Sequence, residues 1–530
     1  MNHRQGQLLY ALALAIGIAP LWVGRHLPLV DLPQHLHLIS VLHRLDDPTT
    51  LFPRLFEARG ELTPYLGYYY VVSLLNWLLP LGIANKVFLS AYVVGMPLGL
   101  AFLLRSLRRP VWPSVLALPF AYGDSFAWGF INYCSALPFT FLCAGFFVRT
   151  IAVRERRRRW AVGLALSLVA VLLFHVQAFA FLGIALPFLL LTTRAPEDGA
   201  EGREGDGRID RLLRPRVPAL LGVVPGVVLF VTWFGGRLGE PAEIAPGQPW
   251  KAWGPMFSEQ NLAWKSFDQN MKELPVVLAN MLRDGSDRYA LYAVAALAGV
   301  GVVFSFLGRR DAAPERREGP IERWRILGLG LIALAMFFLL PFDIRGYVYY
   351  LNTRFAHLAA PLLLASVPLV APRFHRPLVA GGVVAALVLA VPLARGFRAF
   401  NDEAELLDRV ALRAHQAPMV MGLVYNTGSA ALTHPVFIHS AAFLARARGG
   451  AANFSFALTP HSPLEYRDAP PPTFPSEWRP NDFSWEKHGW AYDHFLVRGV
   501  HPSRIFGARL GTELTIADQQ GSFYLVTKAH

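Results

Sequence analysis

Long apolar runs recur along the whole chain and leave one class of fold open. They fall at about 8–24, 66–82, 86–104, 111–122, 131–149, 160–174, 176–193, 217–234, 289–307, 326–342, 356–371 and 378–395. Most reach the roughly 17–25 residues that a helix needs to cross a bilayer. In hydrocarbon a segment must satisfy its own backbone N–H and C=O groups, and a helix is the only open element that does so. The chain therefore reads as an all-α polytopic membrane protein with about 11–12 transmembrane or re-entrant helices. Composition agrees, with 54% hydrophobic and 16% charged residues in 530, where a soluble chain carries roughly a quarter charged. A disordered chain is excluded and a large soluble enzyme disfavoured.

The net charge of +13 suggests an anionic partner until the charges are located. Arg105, Arg108 and Arg109 form one cluster, and Arg154 with Arg156, Arg157, Arg158 and Arg159 another. Residues 194–216 and 308–325 carry six arginines each, and Arg373 and Arg376 close the series. By the positive-inside rule these segments are cytoplasmic, and the crossings between them put 235–288, 343–354 and everything after about 396 outside. The positive charge is a topology signal, so no nucleic-acid partner is expected. His3 and Arg4 put the N-terminus inside and 25–65 outside. The run 66–82, with its tyrosine-rich start at Tyr65 and Tyr68–Tyr70, is the one expected not to span, which leaves about eleven crossings. The first run lacks a small-residue cleavage site and leads into Gly24-Arg25-His26, so it reads as a retained span.

Two regions follow: a transmembrane domain over 1–395 and an extracytoplasmic α/β domain over 396–530. The linker 194–216, rich in Gly, Glu and Arg, reads as a disordered cytoplasmic loop. The tail balances twelve Lys/Arg against twelve Asp/Glu. A helical pattern at Glu403–Ala414 precedes short β-like runs at Met419–Tyr425, Phe495–Val497, Leu514–Ala517 and Phe523–Thr527. Gln520-Gly521 fits a closing hairpin turn. Cys134 and Cys143 lie in one apolar run and read as packing residues, which excludes a disulfide scaffold and a cysteine zinc site.

The first external loop concentrates ionisable groups at the membrane surface: Leu27-Pro28-Leu29-Val30-Asp31-Leu32-Pro33-Gln34-His35-Leu36-His37. Asp31 and His35 are four apart and share a helix face, so they can act as a base with an orienting or relaying partner. Asp31 with Pro33 and Gln34 also fits a helix cap. Residues 343–357 hold Arg345 and Arg354 around Tyr347, just above the bilayer. Such arginines can bind a lipid-linked phosphate through charge-assisted bonds, or simply anchor helix ends by snorkelling. His175 and Gln177 interrupt an apolar stretch at its outer turn, where polar groups tend to face a cavity. The aromatic turn Gly123–Tyr133 suits either an interfacial belt or a sugar-stacking surface. His35, His37 and His43 lack a His-Glu-x-x-His spacing, and no tight carboxylate set accompanies them. No metal site is expected, a divalent cation is not favoured, and no nucleotide-binding loop is visible.

One long span, an acid opening a helical first external loop, many further spans and an external C-terminal domain resemble the GT-C superfamily. These are polyprenyl-phosphate-dependent glycosyltransferases, including protein O-mannosyltransferases and lipid A aminoarabinose transferases. The resemblance implies a bacterial inner-membrane enzyme, with a polyprenyl-phosphate-linked sugar as donor and an extracytoplasmic acceptor. It assigns Asp31 as general base in an inverting transfer, with His35 orienting or relaying. It likens the 343–357 loop to the one lying near the donor phosphate, with Arg345, Arg354, Tyr347 and His175 as substrate contacts. The chain departs from the family in having Leu32 and Pro33, not a second acid, after Asp31. Two other readings stand beside this one: a transporter or flippase of a lipid-linked precursor, and a non-catalytic assembly subunit of the same fold.

Overall fold

The structure, a computed structural model, describes residues 3–195, 214–239, 259–308, 322–345 and 348–529. Most of the linker 194–216, the middle of the external loop 235–288, and Tyr347 lie outside the described residues.

The apolar runs form helices whose ends are set by proline, glycine and the arginine clusters. In chain order these are α1 (His3–Ile18), α2 (Leu32–His43), α3 (Leu66–Asn76), α4 (Leu81–Ser106), α5 (Ile131–Ala152), α6 (Arg157–Phe174) and α7 (Val176–Thr192). The second half adds α8 (Val217–Gly239), α9 (Phe267–Leu278), α10 (Tyr289–Leu307), α11 (Arg325–Leu339), α12 (Ala356–Ala365) and α13 (His375–Arg413). Among the described residues six helices are long and apolar enough to cross a membrane, and α7 and α11 are shorter apolar helices. The chain is a multi-pass helical membrane protein.

Three runs are not full spans, among them 356–371, which yields only the 10 residues of α12. The run 66–82 yields only the 11 residues of α3, about 16 Å of helix against a hydrocarbon core of about 30 Å. The run 111–122 forms a 3₁₀ helix, Trp112–Tyr122, with every residue buried. Pro113 and Pro119 each remove a backbone donor, which disfavours an α-helical ladder there. Where spans meet closely, small residues allow it: a Cβ on Gly99 of α4 would lie 2.7 Å from the Pro138 carbonyl of α5.

Contacts sort the loops to two ends of the bundle. At one end Arg109 donates to the Val367 carbonyl (2.9 Å), and Arg149 donates to Ser106 (3.0 Å). At the other, Asp31 meets the 123–130 turn, Asp124 meets His434, and Arg354 meets His175.

The last span does not stop at 395. α13 runs 39 residues without a break through Glu403–Arg413, about 58 Å, and so carries the tail clear of the bilayer. The tail forms a mixed five-stranded sheet in the order β5-β4-β7-β9-β8. Its strands are β4 (Met419–Val424), β5 (Ala451–Ala452), β7 (His494–Arg498), β8 (Leu514–Gln520) and β9 (Phe523–Lys528). The hairpin between β8 and β9 turns at Gly521, whose φ of 56° favours glycine. Helix α14 (Ser440–Arg448) packs the sheet onto α2. Two short ladders add to this: β1 (Phe56–Ala58) pairs with β6 (Leu464–Tyr466), joining the first loop to the tail. β2 (Leu262–Ala263) pairs with β3 (Asp343–Ile344), joining two external loops.

Candidate active site

Asp31 stands at the N-terminus of α2, in the position of a cap, but its side chain makes no capping bond. Its backbone N–H donates to the Trp128 carbonyl (3.0 Å) and that of Val30 to Ala127 (3.0 Å), so the main chain is clamped against the 123–130 turn. The carboxylate turns outward and is 19% exposed. There it accepts a hydrogen bond from His439 Nε2 at 3.3 Å. The other ring nitrogen of His439 donates to Glu477 Oε2 at 2.8 Å.

Burial alone would push the His439 pKa down, but the Glu477 and Asp31 carboxylates on its two sides outweigh that and raise it to about 10. At neutral pH this is an imidazolium between two carboxylates, with no third donor position left to titrate. Gln34, one turn into α2, fastens the tail here: its amide donates to the Phe454 carbonyl (3.0 Å) and accepts from Phe456 N–H (3.4 Å).

His35 is not the partner of Asp31 that helical spacing suggested. Its Nδ1 accepts from the Tyr69 hydroxyl at 2.7 Å, and its Nε2 donates to the Gly129 carbonyl at 3.1 Å. Burial pushes its pKa down to about 4, against the opposing charge of Asp31. An imidazole with both ring nitrogens engaged fixes the α2–turn junction, and neither nitrogen bonds the Asp31 carboxylate. His37 likewise bonds the Gly450 carbonyl (3.0 Å), tying α2 to the tail.

The two candidate arginines part company. Arg345 follows β3, bonds the Asn261 carbonyl through its backbone (2.8 Å), and has an exposed side chain. Arg354 enters the interior at the start of α12, with 8% exposure. Its Nη1 lies 3.0 Å from His175 Nε2 and 3.1 Å from Gln177 Oε1, and Nη2 donates to the Tyr349 carbonyl (3.1 Å). The guanidinium stacks over Phe130 at 4.2 Å. Among the described residues no carboxylate forms an ion pair with it, and its Nε has no partner. A buried cation with neutral neighbours and a spare donor is suited to an incoming anion. His175, the link between α6 and α7, is therefore a support of Arg354, and so is Gln177.

The 123–130 turn touches both centres. Asp31 is bonded to its Trp128 carbonyl and Arg354 is stacked on its Phe130 ring, close enough that the Asp31 charge acts on the guanidinium. Among the described residues no group of three or more His, Cys, Asp or Glu side chains is arranged to hold a metal ion. A carboxylate base and an anion-seeking guanidinium held by one turn can take a proton from a hydroxyl and hold a departing phosphate.

Helical spacing pointed to His35 because the sequence offers only local partners. His439 and Glu477 lie over 400 residues further on and meet Asp31 only because α14 packs on α2. The residues that could have signalled them are the polar, buried Gln34 and His37 of α2, which need partners from outside their own loop.

No protein-family model matches the sequence, and no curated protein matches it. Among solved structures the chain is similar over 98% of its length to ArnT from Cupriavidus metallidurans bound to undecaprenyl phosphate, at 13% identity, covering 97% of that chain with a TM-score of 0.47. It is similar over its full length to the arabinofuranosyltransferase AftD from Mycobacteria, at 14% identity, covering 42% of that chain with a TM-score of 0.48. It is also similar over 94% of its length to an Archaeoglobus fulgidus oligosaccharyltransferase, at 12% identity, covering 69% of that chain with a TM-score of 0.43.

Proposed function

We propose that the chain is an inner-membrane glycosyltransferase that moves a sugar from a polyprenyl-phosphate donor to an acceptor hydroxyl outside the membrane. In this reading the end bearing the tail is extracytoplasmic. The donor phosphate sits against Arg354, with His175 and Gln177 holding the guanidinium, and the exposed Arg345 guides it from the rim. Asp31 takes the proton of the acceptor hydroxyl as that oxygen attacks the anomeric carbon. The carbon–oxygen bond to phosphate breaks on the opposite face, its electron pair leaves with the polyprenyl phosphate, and the anomeric centre inverts. Glu477 and His439 hold the Asp31 carboxylate in its outward rotamer.

One observation carries the reading. A buried guanidinium with no carboxylate partner among the described residues and a carboxylate that makes no capping bond are held by the same short turn, 123–130. Leaving-group stabilisation is the larger energetic contribution, since fixed charges act strongly where water is scarce.

The test uses purified full-length protein in lipid nanodiscs, with polyprenyl-phosphate-linked pentose and hexose donors and release of polyprenyl phosphate as readout. Asp31→Asn is expected to lower turnover by about 10²–10⁴-fold while binding of polyprenyl phosphate persists. Arg354→Ala is expected to lose that binding, and Arg354→Lys to restore little of it, because an ammonium cannot reproduce the guanidinium fork. Unchanged turnover in Asp31→Asn sinks the mechanism.

A further inference from the structure

We infer that the acceptor is a saccharide, stacked on an aromatic wall made by Trp128, Tyr350 and Trp478 beside Asp31. The inference rests on the reading of Asp31 as the base and names what that base acts on.

Trp128 is the hub of the wall. Its ring lies 5.1 Å from Tyr350, 6.4 Å from Trp478, 6.4 Å from Phe130 and 5.3 Å from the His434 ring. Both indoles are locked to the base by their chain neighbours. The Trp128 carbonyl accepts the Asp31 N–H, and Trp478 follows Glu477, which holds His439. The segment that completes the Asp31 partnership therefore also delivers an indole to its flank. Trp478 meets the Trp128 ring and is 55% exposed, so much of its indole is open. Asp124 and His434, paired at 2.8 Å and largely buried, back the Trp128 ring.

An interfacial belt explains single aromatics at the lipid-facing ends of helices. It does not explain these, because the rings face one another across two separate regions, and Trp478 belongs to the tail, which carries no span. A sugar ring has the matching chemistry: C–H groups on one face to pack on the electron-rich face of an indole, and hydroxyls around its edge for carboxylate and imidazole groups. An extended peptide would be held by main-chain bonds along a sheet edge. The groups bonded to Asp31 come instead from α2, the 123–130 turn and the residue before α14.

The test needs no donor, so it stands apart from the transfer assay. Full-length protein in nanodiscs is passed over immobilised panels of pentose and hexose oligosaccharides and of peptides. Wild type is expected to be retained by oligosaccharides and not by peptides. Trp478→Ala should weaken retention about tenfold or more, and Trp478→Phe should keep most of it. Polyprenyl phosphate binding unchanged in both variants verifies their fold. Retention by peptides alone, no retention by any oligosaccharide, or equal retention of Trp478→Ala overturns the inference. Oligosaccharide binding through Trp478 with transfer indifferent to Asp31 would sink only the assignment of the base. Transfer that depends on Asp31 without oligosaccharide binding would sink only the saccharide acceptor.

Discussion

His439 is the residue that holds the Asp31 carboxylate, and its charge state ties the candidate site to stability. Its ordinary pKa is 6.5 and its folded value about 10, because two carboxylates outweigh the effect of burial. A folded value above the unfolded one means that the imidazolium contributes its full stabilisation below pH 6.5, and that this is lost as pH rises through about 10. Thermal unfolding measured from pH 6 to 10.5 should therefore show wild-type stability falling on the alkaline side. His439→Gln, which keeps hydrogen bonding but cannot be charged, should start lower and have a shallower alkaline slope. Equal slopes would mean that His439 is not held between two charges. Of the residues proposed for the site, Asp31 and Arg354 could be singled out in the sequence because each stands out locally, an acid just beyond a span and an arginine in a short loop. The role given to His35 was not borne by its bonds, since a four-residue spacing sets which face a side chain occupies and not what it meets there. His439 and Glu477 were unreadable as partners because nothing in their own segments sets them apart from ordinary loop residues.

At the scale of elements, the 123–130 turn decides whether base and guanidinium can share a site. The short helix Asp124–Trp128 ends at Gly129, which has φ +86°. A Cβ there would stand 2.8 Å from Asp31 N and 3.0 Å from Asp31 Cβ. Gly129→Ala thus meets two obstacles, a left-handed backbone that costs about 1–3 kcal/mol for a non-glycine residue and a collision with the base itself. The expected outcome is turnover reduced at least as far as by the fold's loss of stability, with polyprenyl phosphate binding at Arg354 retained; a variant with wild-type turnover would show that Asp31 need not lie where it does. Spans were readable here because apolar length alone specifies a membrane helix. The 3₁₀ stretch Trp112–Tyr122 was not, because prolines inside an apolar run change the hydrogen-bond ladder without changing hydropathy. The tail strands and the hairpin at Gln520-Gly521 were readable from β-branched runs and turn chemistry, whereas the pattern Glu403–Ala414 proved to be the outer end of α13.

For the whole molecule, the arginine clusters of the sequence predict which segments are cytoplasmic, and the proposed chemistry needs the tail end to face outward. The two natural cysteines, Cys134 and Cys143, are both buried, so introduced cysteines can report sidedness without background. Ser503 in the tail and Glu155 in the arginine-rich turn between α5 and α6 are both exposed and belong to opposite ends. In intact spheroplasts a membrane-impermeant maleimide should label Ser503→Cys, whereas Glu155→Cys should react only after permeabilisation. The physical reason is the five arginine-rich segments of the sequence, which the positive-inside rule predicts to stay in the cytoplasm, against a tail whose charges balance. Labelling of both positions from the same side would break the alternation of spans. Labelling in the reverse order would leave the fold standing but put Asp31, Arg354 and the aromatic wall on the cytoplasmic face, where a donor displayed on the outer leaflet could not reach them.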